Sequence, residues 1–433
     1  MLIIIKKITM QNMNKEKIIS CLEEAKEAGI FRPEPLKNFP PESYVARAIQ
    51  CSVKTNKDIQ EKLKEILQAE PELDIFNLSF NSGFSSWIIG TENLAMWLLN
   101  KSLENSPEEA VDKLEEYLNL SATPGYEILA ITGIEIETSF KLSNELSLIP
   151  IHDLPNSMTK ESMVKPSIFK TFLTAVSFGI SMHFAPEFVG FYPNAAIITK
   201  TEFSPKAFDE NYNGPKFKSI AHELFDACRI LSLVGPCSPV PFAHWTQVED
   251  WVPCSIFLGG SFGRQANDIN SFSNKFKNED ISRVQEIYQK FSKLNQETKD
   301  RLRVPIERLN QSRRRQVPAD MALDLGIALE SLLLDNISHN DSISLLFRLR
   351  GAWFLGRDKI EREDLMNIFN KIYDCRSKAA HSGKIPFTIF LKTGEAINID
   401  VFLRQGTKLC TEMILKIIDN GDFPDWKKLI IGF

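Results

Sequence analysis

Apolar side chains return every three or four residues across "NKEKIISCLEEAKEA" (residues 14–28), and Gly29 follows. That spacing predicts an amphipathic helix stopped by glycine. A second helix is predicted over 56–69, after the Pro-rich connector "FRPEPLKNFPPES". In "SPEEAVDKLEEYLNL", Ser106 can cap, Pro107 fits the first helical position, and Glu108 and Glu109 suit the positive end of the helix dipole. The period then changes. "YEILAITGIEIETSFKLSNELSLIPI" (126–151) alternates Ile, Leu and Thr with turn residues, which predicts several strands. "PNAAIITKTEF" (193–203) and "WVPCSIFLGGSF" (251–262) predict further strands, with a helix in "KFKSIAHELFDACRILSLV" between them. From about 279 the helical period returns in "EDISRVQEIYQKFSKLN", an arginine-rich run, and four or five helices joined by short connections, with a strand-like insert at 386–391.

These patterns give an α+β chain: a mainly helical region over 1–120, a strand-rich α+β domain over 121–275, and an all-α helical bundle over 279–433. Charge follows the division. The net charge is −5 overall, made of about −9 in 1–300 and about +4 in 301–433. A mildly basic helical part on an acidic body suits an RNA or phosphate partner. The seven cysteines are scattered without short paired spacings, so no disulfide framework is expected. The opening "MLIIIKKITM" is too short for a signal core, and no later window is long and apolar enough for a span, so a cytoplasmic protein without a membrane partner is expected.

The candidate chemistry lies in "KIYDCRSKAAHSGK" (371–384). Leu365, Ile368, Phe369, Ile372 and Ala379 form the apolar stripe of this helix. At about 100° per residue, Arg376 falls within roughly 20° of Leu365 and so lies on the core side. A guanidinium there needs a partner. Glu330 supplies one: in "ADMALDLGIALESLLLD" it sits among Leu323, Ile327 and Leu334 and itself needs a cation. Asp320 and Asp324, near the start of that helix, read as dipole-favoured charges. His381 follows Arg376 by five residues, about 140° around the helix. Gly383 can take the left-handed conformation that ends a helix, letting His381 swing out. Two readings result. Arg376 and Glu330 form a structural ion pair with His381 at a helix end, or Arg376 and His381 form a site completed across a two-fold dimer.

The segments "ADMALDLGIALESLL", "FRLRGAWFLG" and "IYDCRSKAAHSG", followed by a final amphipathic helix, resemble the HEPN superfamily and in particular its ApeA-like group. The resemblance covers residues 315–416. It implies a metal-independent endoribonuclease without cofactor, in which the R-x4-6-H motif supplies a catalytic Arg and His at a homodimer interface. Arg376 would then stabilise the phosphorane charge. His381 would transfer protons. Glu330 would orient Arg376, with Ser377 and Tyr373 in support. ApeA-like proteins with a strand-rich domain before the bundle imply a role in defence against phage. The alternative is a non-catalytic HEPN module that dimerises and senses RNA or a protein.

"RLRVPIERLNQSRRRQ" carries Arg301, Arg303, Arg308, Arg313, Arg314 and Arg315. As an RNA-contacting stripe it would offer Arg313, Arg314 and Arg315, with Lys378 and Lys384 beside the site. Otherwise it is a solvated helix face salt-bridged to the acidic N-terminal region. Other patterns read as structural. "AHELFDACRI" lacks the second histidine of a zinc-protease helix, and Cys237, His244 and Cys254 match no tight ligand spacing. "GGSFG" (259–263) reads as a loop, "GFSSW" (83–87) is no nucleophile elbow, and Trp245 and Trp251 read as core. No metal site is expected.

Overall fold

Side-chain caps decide where the N-terminal helices begin. A computed structural model describes residues 13–34, 44–81, 86–164, 193–203, 220–235, 237–255, 263–264, 274–334, 342–392 and 394–431. Helix α1 (Lys15–Ala28) starts at Asn14, whose side chain accepts from the Lys17 N–H, and stops at Gly29 with φ 95°. The short helix α2 spans Tyr44–Gln50, and α3 spans Lys57–Gln68 behind the Asn56 cap. Helix α4 (Gly90–Glu104) leads to α5 (Pro107–Asn119), where the Ser106 hydroxyl takes the Glu109 N–H at 3.2 Å. The expected capping residue and the expected first-turn proline of α5 are both in place.

The chain folds into two compact units, each assembled from separate stretches. Unit 1 takes 1–130, 149–222 and 242–266; unit 2 takes 131–148, 223–241 and 267–433. Within unit 1 the apolar faces of α1, α3, α4 and α5 meet in one core that includes Leu22, Leu63, Leu98 and Leu114. A second core gathers Ile128, Ile149, Ala196 and Trp245. The strands supplying it are β3 (Thr123–Thr132), β6 (Leu146–Pro150), β7 (Ala195–Phe203) and β8 (Val240–Val248). With β5 (Phe140–Lys141) and β9 (Gly263–Arg264) they form a six-stranded sheet of order β5-β6-β7-β3-β8-β9. The short strands β1 (Ser79–Asn81) and β2 (Ser86–Ile88) pair antiparallel, and helix α6 covers Met158–Val164. Strand β4 (Ile134–Glu135) pairs in parallel with β10 (Asn274–Lys275).

His244 and the cysteines considered beside it are all buried. The His244 Nε2 lies 2.9 Å from the Glu127 carboxylate, both buried on neighbouring strands. Cys237 and Cys254 are buried thiols, and no cluster of metal-ligating residues occurs among the described residues. Trp245 is fully buried, as expected of core. One strand expectation needs correction. Residues 251–255 form a turn closed by the Val252 and Ser255 N–H groups, because the chain reverses right after β8. Residues 256–262, most of "GGSFG", residues 83–85 of "GFSSW", residues 35–43 of the Pro-rich connector, residues 216–219 of the expected helix and residues 1–12 lie outside the described residues.

The C-terminal part is helical, as its pattern predicts. After α7 (Ala221–Leu231) come α8 (Asn278–Ser292), α9 (Gln296–Arg314), α10 (Pro318–Leu333), α11 (Ile343–Leu355), α12 (Lys359–Ser382), α13 (Ile399–Asn420) and α14 (Trp426–Ile431). Helix α10 packs against α9, α11, α12 and α13, the central place its two apolar faces require. The strand-like insert is a hairpin of β11 (Thr388–Phe390) and β12 (Ala396–Asn398) between α12 and α13. No described helix is long and apolar enough to cross a membrane.

Candidate functional site

Helix α12 is positioned by its apolar stripe. Leu365, Phe369, Ile372, Cys375 and Ala379 are buried, while Ile368 is only partly covered. Arg376 sits at the margin of this stripe with its side chain 30% exposed, and its Nη2 donates to the Glu330 Oε2 at 2.9 Å. The expected pair is therefore formed inside one chain. Burial pushes the Glu330 carboxyl above the usual carboxylate range, and Arg376 draws it back only in part. The Arg376 Nε is buried and has no hydrogen-bond partner among the described residues. The guanidinium is thus held to Glu330 through one arm.

A glycine that no motif singles out explains how the arginine reaches its place. Gly326 lies four positions before Glu330, on the same face of α10. A β-carbon built there would stand 2.7 Å from the Arg376 Cβ, 3.4 Å from its Cδ, and closer still to its Cγ. The stem of Arg376 therefore crosses bare backbone before its head meets Glu330. The available signal was a glycine inside an apolar helix, which costs about 1 kcal/mol relative to alanine and calls for a packing reason.

His381 stays in the last turn of α12, exposed, with no hydrogen bond or ion pair to a described residue. The helix runs on to Ser382 before Gly383 turns it at φ 66°, so the histidine does not leave the helix as expected. Gly383 does take the left-handed conformation, and its N–H closes on the Ala379 carbonyl at 2.9 Å. Within one chain the fold brings Arg376 to Glu330. It leaves His381 around the helix from them.

The supporting residues divide. The Tyr373 ring packs on Phe347, centroids 5.3 Å apart, which braces α12 against α11. Ser377 is partly buried beside Arg376, while Lys378 in the last turns of α12 and Lys384 just past its end are both exposed. Cys375 is buried, and burial pushes its thiol up to about 11.

The arginine-rich run is turned largely inward. Arg313 donates to the Ser232 carbonyl and to the Thr411 hydroxyl, the latter at 2.7 Å. Arg315 and Arg308 both bond the Asp324 carboxylate, at 2.7 and 3.0 Å. Asp324 is 4% exposed, so it is a buried acceptor for two arginines and not the dipole-favoured surface charge that its position suggests. Arg303 forks onto Asp226 at 2.8 and 2.7 Å. Arg301 stacks over Phe423 at 3.7 Å, and Arg314 is partly buried. The expectation of an RNA stripe at Arg313 and Arg315 thus meets side chains already holding internal acceptors. No protein-family model, curated protein or solved structure matches this chain.

Proposed function

We propose that this chain is a metal-independent endoribonuclease of the HEPN type that works as a homodimer through its C-terminal helices. The observation that carries the reading is the seating of Arg376. It is a partly exposed guanidinium, held at Nη2 by Glu330 from one side. Such a group is ready to bind two oxygens of a phosphodiester. His381 stands exposed five residues on, and Lys378 and Lys384 add positive charge at the same helix end. In the reaction the ribose 2′-oxygen attacks the adjacent phosphorus and the 5′-oxygen leaves, giving a 2′,3′-cyclic phosphate. His381 moves the proton, and Arg376 balances the charge that develops on the phosphorane. Because Arg376 and His381 diverge on one helix, a second copy supplies the facing pair. Toxicity to the host cell, as in a defence effector, fits this chemistry.

A non-catalytic binding module is the second reading. It is favoured by the Arg376–Glu330 bond closing within one chain. The experiment that separates the two uses purified full-length protein and transfer or messenger RNA. Cleavage to ends carrying 2′,3′-cyclic phosphate is expected, unchanged by chelators and lost by at least about 100-fold in Arg376→Ala and in His381→Ala. RNA bound but uncut by the parent protein would assign the module instead.

A further inference from the structure

Three phenylalanines are exposed among the described residues, and two of them, Phe387 and Phe390, belong to one short hairpin. Phe387 is 86% exposed and Phe390 is 64% exposed. The hairpin itself is anchored. Ile389 of β11 is buried opposite its β12 partner Ile397, and both strands pack on α13. Side chains alternate along a strand, so burying Ile389 turns Phe390 outward, to the face that holds the exposed Ala396. Phe387 stands just before β11, where its carbonyl accepts the Ile399 N–H at 2.9 Å. The backbone is thus fixed at both positions while the rings stay in water. Single exposed apolar side chains are ordinary, but two large ones on an anchored hairpin mark a contact surface.

Charge identifies the kind of partner. Residues 371–398 carry five basic side chains (Lys371, Arg376, Lys378, Lys384 and Lys392) against Asp374 and Glu395, a net +3 in a chain of net −5. Lys378 and Lys384 are exposed, and Lys392 leans on Glu363 at 3.8 Å. Aromatic rings set among cations suit a polyanion that carries flat apolar groups. A second copy of the chain suits them poorly. It would set two positive segments against each other, and four rings bury at most about 1,000 Å², short of the roughly 1,200–2,000 Å² of a stable interface. Phe387 follows His381 by six residues, so their Cα atoms lie within about 22 Å. About six stacked bases cover that distance.

From these observations we infer that the β11–β12 hairpin is a subsite for unpaired RNA bases. Phe387 and Phe390 stack on bases near the cleaved bond, and Lys378 and Lys384 meet the phosphates between. The inference rests on the ribonuclease reading for its ligand and adds to it a preference for single strands. In a duplex the bases already stack on one another and leave no open face for a ring.

The test is fluorescence anisotropy of the full-length protein with a 2′-O-methyl RNA of about twelve nucleotides, within the usual range of single-strand site sizes. That strand lacks the attacking 2′-hydroxyl, so binding is read apart from cleavage. The same strand in a duplex and an abasic strand of equal charge are the comparison probes, all at one salt concentration. The single strand is expected to bind at least about tenfold tighter than either. Phe387→Ala and Phe390→Ala should each lower its affinity by at least about fivefold, with the abasic strand unaffected. Both variants should keep the parent Tm within about 1 °C, since the rings are exposed. Phe390→Trp should retain binding and Phe390→Leu should not, because stacking needs a flat ring. No binding of the single strand, equal binding of the abasic strand, or parental affinity in the alanine or leucine variants would each overturn the subsite. So would a loss of dimer mass in the alanine variants, or their loss of binding to phosphatidylcholine–phosphatidylserine vesicles with strand affinity unchanged. A strand bound through these rings, with RNA never cut, supports the subsite and removes the nuclease reading. RNA cut normally, with both alanine variants at parental affinity, does the reverse.

Discussion

An alanine at position 326 would drive a methyl group into the stem of Arg376, whose Cβ lies 2.7 Å from where the new carbon must sit. The backbone of α10 and that of α12 would have to part, or the arginine would leave Glu330. Overpacking of this kind costs about 1–3 kcal/mol, against about 1 kcal/mol gained from the better helix propensity of alanine. Gly326→Ala is therefore expected to lower unfolding stability by up to roughly 2 kcal/mol in urea titration. It should also slow RNA cleavage, because Arg376 is displaced from Glu330. A stabilising result would mean that the arginine is loosely placed.

Between elements, one arginine compares a buried and an exposed acceptor. Arg303 on α9 forks onto Asp226 of α7, which is 6% exposed, and also touches Asp300 on its own helix. Asp226 additionally accepts from Arg229 at 3.0 Å. Its removal strands two cations beside a covered surface, and breaking a buried pair costs about 3–5 kcal/mol. Arg303 keeps some solvent and its second partner, so the low end applies: Asp226→Ala is expected to cost roughly 3 kcal/mol. Asp300→Ala, at a more exposed position, should cost no more than about 1 kcal/mol. Chemical denaturation of the two variants side by side measures the contrast. Equal costs would show that α7 is not held to α9 through this carboxylate.

For the molecule, the second unit is discontinuous, and this has a consequence for any fragment. The 223–241 stretch gives the helical part Asp226 for Arg303, the Ser232 carbonyl for Arg313, and Ser238 and Pro239 for Asn310. A fragment of residues 279–433 loses all of these while keeping the buried groups that they satisfied. Each orphaned buried group costs about 1–3 kcal/mol, a large share of the roughly 5–15 kcal/mol that a domain has. The fragment is expected to be helical by far-ultraviolet circular dichroism yet to unfold without a cooperative transition. A sharp, two-state melt of that fragment would show that the helices stand without the inserted stretches.

The local sequence, its hydrophobic period together with its capping and charged residues, determined the α+β class, the helices, the capping at Ser106 and the requirement that Arg376 and Glu330 find each other. All of these follow from local geometry: a helix repeats near 3.6 residues, a cap serves its own first turn, and a charge on a core face must be matched. Which distant groups are matched is decided only when the chain closes on itself. Nothing local distinguishes Arg313, turned toward Ser232 and Thr411, from an arginine facing solvent. Likewise Asp324 sits where a helix start favours acid, and only the arrival of Arg308 and Arg315 makes it a buried junction. The crossing of Arg376 over Gly326 belongs to the same class. All of these depend on where helices and turns far apart in the chain come to rest, which periodicity does not encode.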